Sequence, residues 1–260
     1  MSQGKYLDDI LEFISMDYDN EMLSVHPRDK LNGILENYND PKTLMVIDID
    51  GTIKRSPTMS IVKKTVFKPQ RYYKNLEWLG NMLLTLPIAG WQRWSLEKIE
   101  TFSLEYAETN VIETLRNNYP NVNLNKIAET ESPQLFPGVK DVLTYFSQPK
   151  KLLVSRTFEE LVKATEKELN NGVQLIHNSY HRIDDKVKLV LDQAEQQRCE
   201  KIFIFGDLQN DIDPATEARK LGYDVFMARV CKQMLRKHYH SDVDLYMQRN
   251  WTGLRDMLIS

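Results

Sequence analysis

Two carboxylates one residue apart, Asp48 and Asp50, close the apolar run 44–47 in KTLMVIDIDGTIKR, and Gly51 follows them. A short apolar run of this kind is the pattern of a strand buried on both faces. On an extended chain alternate side chains point the same way, so both carboxylates lie on one side. Charge at the end of a core strand is costly unless something compensates it. The pattern recurs. The run 151–154 is followed by Ser155, Arg156 and Thr157, and the run 202–205 leads into GDLQND at 206–211, with Asp207 and Asp211. Lys186, in DDKVKLVL, comes before the helical pattern that precedes that last strand. In open parallel sheets ligands bind outside the carboxyl ends of the strands, near the switch in strand order. Carboxylates gathered there repel one another, and a hard divalent cation bound by oxygen ligands relieves the repulsion. Mg2+ is the expected occupant, and it would offset charge in phosphoryl transfer. Singly, each residue has a structural explanation as a turn, a cap or a solvated charge. Their recurrence at successive strand ends argues for a shared site.

The elements that must position these groups read as an α/β fold with a doubly wound, mostly parallel sheet. Beyond Phe136, short apolar runs at 151–154, 173–176, 202–205 and 224–227 alternate with helical segments, the mark of βα units. Residues 1–40 read as two amphipathic helices, 6–14 and 27–36, joined by polar residues and packed on the core as an extension. From 61 to 126 the spacing is helical and rich in aromatics, which predicts an inserted helical segment. The expected division is therefore an extension at 1–40, a core at 41–54 and 135–260, and a helical cap at 55–134. Asp213 before Pro214 predicts an N-cap with proline at the first helical position. Either Asp184 or Asp185 is expected to cap the helix that carries Lys186, and Thr157 with Glu160 reads as a capping box.

Composition sets outer limits. The chain has 260 residues, 42% apolar and 27% charged, with a formal net charge of -3, which suits a globular protein and not a long nucleic-acid track. Cys199 and Cys231 are the two cysteines, outside any CxxC pair, and read as free thiols. No segment approaches the ~20 apolar residues of a membrane span, and the first residues carry acidic groups unlike a signal peptide, so a cytoplasmic location is expected. His177 with His181 and His238 with His240 read as surface or packing residues, and Trp78, Trp91 and Trp94 as core of the cap. Lys54, Arg55, Lys63, Lys64, Lys68, Arg71 and Lys74 form a basic run with no acidic residue between 54 and 74. It reads as a solvated face, with part of it suited to steering an anionic substrate.

DIDGTI at 48–53, Ser155, Lys186 and GDLQND at 206–211, together with the lead LFPGVKDVL at 135–143, resemble the successive motifs of the haloacid dehalogenase superfamily. The resemblance spans roughly residues 42–228 and places the helical segment where that family inserts a C1-type cap. It implies a Mg2+-dependent phosphatase acting on a phosphate monoester through an aspartyl-phosphate. Asp48 would be the nucleophile, Asp50 the general acid and base, and Lys186 the bridge between Asp48 and phosphate, with Lys188 the alternative lysine. Thr52, Ser155 and Arg156 would meet the substrate. Asp48, the carbonyl of Asp50, Asp207 and Asp211 would hold the metal, with Asp211 either ligating or orienting a ligand. The second aspartate favours phosphate over halide chemistry. A phosphorylated small molecule is the expected partner. A mutase of the same superfamily, a nucleic-acid end phosphatase and a non-catalytic phosphate-binding protein are the alternatives.

Overall fold

The computed structural model describes residues 22–55, 126, 129, 134–155, 159–169, 175–177, 183–231 and 240–259. Arg156, Thr157, residues 1–21 and nearly all of the expected cap and basic run lie outside them. So do His181, His238 and the tryptophans of the cap.

Seven strands form one sheet: β1 (Met22–Ser24), β2 (Thr43–Asp48), β3 (Lys150–Val154), β4 (Leu175–His177), β5 (Lys201–Gly206), β6 (Asp224–Cys231) and β7 (Leu245–Gln248). Their order across the sheet is β1-β7-β6-β5-β2-β3-β4. From β7 to β4 all neighbours are parallel, and β1 pairs antiparallel with β7 at one edge. The chain moves outward from β2 through β3 to β4, then returns to the other side of β2 to lay down β5, β6 and β7. The strand order therefore reverses between β2 and β5, the place where an open α/β sheet leaves a crevice.

The helices are α1 (Arg28–Glu36), α2 (Val139–Tyr145), α3 (Glu159–Leu169), α4 (Ile183–Gln196), α5 (Gln209–Lys220) and α6 (Thr252–Ile259). Side chains alternate across the strands, so β2 and β5 feed two cores. Met45, Ile47, Phe203 and Phe205 face α1, α2 and α6, and pack with Leu35, Val142, Phe146, Trp251 and Leu254. Leu44, Val46, Ile202 and Ile204 face α4 and α5, and pack with Val190, Ala194, Ile212 and Ala215. On the first face an aromatic stack links the elements. Phe203 meets Phe146, Phe205 and Phe226 with ring centroids 5.4, 4.4 and 5.1 Å apart, and Phe205 meets Trp251 at 4.5 Å. Such pairs contribute about 0.5–1.5 kcal/mol each beyond area burial.

The helix expected at 27–36 is α1, and its Leu31 and Leu35, with Tyr38, join the main core, while residues 22–24 ahead of it form an edge strand. Two local expectations are corrected. Pro214 sits inside α5, which begins at Gln209, so Asp213 is not its N-cap. The helix starts earlier because Asp211 accepts the backbone N–H groups of Asp207 and Leu208, both at 2.9 Å, which closes the turn ahead of it. Likewise α4 begins at Ile183, which puts Asp184 and Asp185 within its first turn and not ahead of it.

Candidate active site at the sheet switch point

Asp48 is the last residue of β2, Ser155 follows β3 and Asp207 follows β5. These strands are adjacent, so the parallel register alone brings the three strand ends together. Residues 49–54 then curl tightly. Ile53 N–H and Lys54 N–H both bond the Ile49 carbonyl, at 3.2 and 3.3 Å, and Gly51 N–H bonds the Lys54 carbonyl at 2.8 Å. Ile49 and Ile53 anchor the turn in the core. Gly51 has φ +89°, and a Cβ there would collide with the Asp207 carboxylate, so glycine is needed for both reasons. Gly206 serves the other side, where a Cβ would collide with Asp211.

Asp48, Asp207 and Asp211 each offer a carboxylate oxygen within 4.8 Å of the others. Thr52 Oγ1 donates to Asp48 Oδ2 at 3.1 Å. Lys186, wholly buried on α4, donates to Asp48 Oδ1 at 3.4 Å and to Asp211 Oδ1 at closer range. A cation in the first turns of a helix opposes the helix dipole, and these two carboxylates supply the compensation. Lys188 is exposed and pairs with Asp192 at 2.7 Å one turn along α4, so it is Lys186 that reaches the cluster. Asp50 turns toward Ser155, whose Oγ donates to Asp50 Oδ2 at 3.3 Å. Its carboxylate is therefore not one of the three converging groups. Asp211 has both oxygens engaged, by Lys186 and by the loop amides, the arrangement of a residue that orients the others.

Asp207 carries the electrostatic tension. Burial first, then the charges of Asp48 and Asp211, push its carboxyl well above the usual aspartate range, while Arg249 pulls it down. Its Oδ1 is buried with no hydrogen-bond donor among the described residues. An orphaned buried oxygen among like charges fits a hard divalent cation.

Two residues of this site were not foreseen. Arg249, just after β7, donates to Asp207 Oδ2 at 3.3 Å. Trp251 donates its indole N–H to the Thr52 carbonyl at 3.2 Å and so ties the loop of the first aspartates to α6. The same tryptophan is locked from behind, since its N–H bonds the Pro137 carbonyl at 2.8 Å. Gly138, at φ +82°, leaves no space for a Cβ, which would lie 2.7 Å from the Trp251 backbone. The signal was the rule of looking just past each strand, which fails where the strand itself is not recognised. Among the histidines, His240 accepts the Asp242 N–H at 3.2 Å and is part of a turn.

No protein-family model matches the chain, and no curated protein does. Similar solved structures include a dehalogenase with an intermediate complex, at 11% identity over 85% of this chain and 99% of that one, with a TM-score of 0.47. Another is the catalytic domain of the CPx-ATPase CopB-B, at 12% identity over 100% of each chain and a TM-score of 0.44. A third is CbbY from Rhodobacter sphaeroides in complex with phosphate, at 10% identity over 77% of this chain and 91% of that one, with a TM-score of 0.42. No helix among the described residues is long and apolar enough to cross a membrane.

Proposed function

We propose that the chain is a Mg2+-dependent phosphatase of the haloacid dehalogenase superfamily, hydrolysing a phosphorylated small molecule through an aspartyl-phosphate on Asp48. The observation that carries this reading is the convergence of Asp48, Asp207 and Asp211 at the strand-order switch, with Lys186 on Asp48 and Asp211.

In this mechanism one oxygen of Asp48 attacks phosphorus and the bond to the leaving oxygen breaks. Asp50, half-buried and two residues on, gives its proton to the departing alkoxide. Water then attacks the aspartyl-phosphate, Asp50 takes the water's proton, and Asp48 is regenerated as inorganic phosphate leaves. Thr52 and Lys186 hold the two oxygens of Asp48 from opposite sides, which fixes the carboxylate for in-line attack. Lys186 also offers its charge to the transferring group, and Ser155 holds Asp50 in place. Mg2+, held by Asp48 and Asp207 with Asp211 behind them and the carbonyl of Asp50 as a further ligand, would supply charge neutralisation at the phosphoryl group. Arg156, as a further substrate contact, and the cap at 55–134, as the cover that excludes water, complete the proposal.

The test is release of inorganic phosphate from p-nitrophenyl phosphate with Mg2+, followed by a panel of phosphorylated metabolites. Steady release that stops with EDTA is the expected result. An isomerised product without phosphate release would favour phosphotransfer, and no turnover on any substrate would overturn the reading.

A further inference from the structure

Among the described residues, Arg249 is the cation paired with Asp207. Lys186 is committed to Asp48 and Asp211, which leaves the third carboxylate of the cluster to the guanidinium 3.3 Å away. The contact is unlike a structural arginine pair. Arg219, at the other end of α5, places Nη2 2.6 Å from Asp244 and bonds the carbonyls of Asp242 and Val225 as well. Arg249 gives Asp207 one long bond from a fork of five N–H donors. Its Nε–H has no acceptor among the described residues. The side chain lies over the Phe136 ring, 6.0 Å from guanidinium carbon to centroid, and keeps 32% exposure. A divalent cation bound at Asp207 would meet this charge directly, and the two compete for one carboxylate. A guanidinium released there would remain next to Asp207, in the site where phosphoryl transfer is proposed, and its planar fork suits phosphate oxygens.

We propose that Arg249 is a positioning residue that competes with the divalent cation for Asp207 and, once displaced, turns its guanidinium to the substrate phosphate. The inference rests on the phosphatase reading above. It makes cation affinity and phosphate affinity respond to one side chain in opposite directions.

The experiment uses the full chain and two probes, Mn2+ followed by electron paramagnetic resonance without substrate, then inorganic phosphate at saturating Mn2+. Arg249→Gln should bind Mn2+ about three- to fivefold more tightly, the scale of a partly exposed ion pair. The same variant should bind phosphate about tenfold more weakly. Arg249→Lys keeps the charge and loses the fork, so its Mn2+ affinity should stay near wild type while phosphate weakens about threefold. If Arg249→Gln does not fold, the lysine variant decides, and unchanged phosphate affinity in it overturns the proposal. A merely structural arginine would weaken both ligands on removal, and that outcome, or Mn2+ bound no more tightly, also overturns it. Absence of Mn2+ binding by the wild-type chain would instead remove the phosphatase reading, and this inference with it.

Discussion

Helix α5 begins at one charged cluster and ends at another, and the two are built on opposite principles. At its start, Asp207 and Asp211 face Asp48, with like charges crowded together and Asp207 pushed above its usual range by them. At its end every charge has a fitted partner. Arg219 pairs with Asp244, Asp244 also accepts the Met227 N–H at 2.8 Å, and Tyr38 donates to Asp224 at 2.7 Å. Burial and the neighbouring carboxylate Asp224 push the Tyr38 hydroxyl upward, so it remains a donor. One end maximises stability. The other keeps like charges crowded together with Lys186 and Arg249 as partial compensation, the kind of tension expected of a working site.

Removing the proposed nucleophile breaks this comparison most sharply. Asp48→Asn should lower kcat by about a thousandfold or more, because no carboxylate remains at this position to form the proposed aspartyl-phosphate. Its folding stability should change by less than about 1 kcal/mol, since the substitution also relieves like-charge repulsion. Phosphate release and urea denaturation measure the two effects. A variant that turned over normally, or that unfolded, would erase the distinction between the two ends of α5.

The second test adds a divalent counter-charge. Mg2+ at about 100 times its Kd should stabilise the chain by about 2.7 kcal/mol, or roughly 5–10 °C in Tm for a chain of this size. Asp207→Asn should abolish that shift, while Asp242→Asn at the far end of α5 should leave it intact. An equal Mg2+ response in both variants would place the ion elsewhere.

The rim of the sheet was far more legible than its edge. Asp48, Asp207 and Lys186 could be read because each interrupts or borders a strong apolar period, and a charge in such a place must be explained. The edge gave no such contrast. Met22–Ser24 has three residues, and its pairing with β7 depends on a partner over two hundred residues away. Leu245–Gln248 is short, so Arg249 and Trp251 passed as ordinary loop residues. Asp213-Pro214 met the cap rule in sequence, but Asp211 had already closed the turn, and tertiary contact overrode the local preference. Phe203, Phe226 and Tyr38 likewise carry no sign in sequence that they stack on one another.

The far end of α5 is tested by Arg219→Met. Breaking a buried ion pair costs about 3–5 kcal/mol, and the 27% and 18% exposure of the two side chains reduces the expected loss to about 2 kcal/mol. Burial already pushes the Asp244 carboxyl above its usual range, against the pull of Met227 N–H and Arg219. A carboxyl whose folded pKa is raised gives stability that is fully present below the unfolded value and lost as pH rises through the folded one. Without Arg219 that folded value moves up further, so the gap between variant and wild type should narrow as pH falls from 7 toward 5. His26 lies 3.5 Å from Asp244, and the comparison is repeated in a His26→Asn background. A gap that did not change with pH would mean the loss comes from packing and not from the stranded carboxylate.

The smallest effect concerns a charge that belongs to neither cluster. Lys151, on β3, is 2% exposed, and its ammonium makes one hydrogen bond among the described residues, to the Pro149 carbonyl at 3.3 Å. Burial lowers its pKa, so between the folded value and 10.5 the unfolded chain holds more protons and stability rises with pH. At neutral pH the buried ammonium is a net cost, unlike the paired charges of α5. Lys151→Met keeps the stem and removes the charge, and should raise stability by about 1 kcal/mol in urea denaturation at pH 7. The gain should shrink toward pH 10, where the wild-type lysine sheds its proton. A loss of stability would mean that the ammonium's bond to Pro149 outweighs its desolvation, and that this end of the sheet, too, uses its charge to hold the fold.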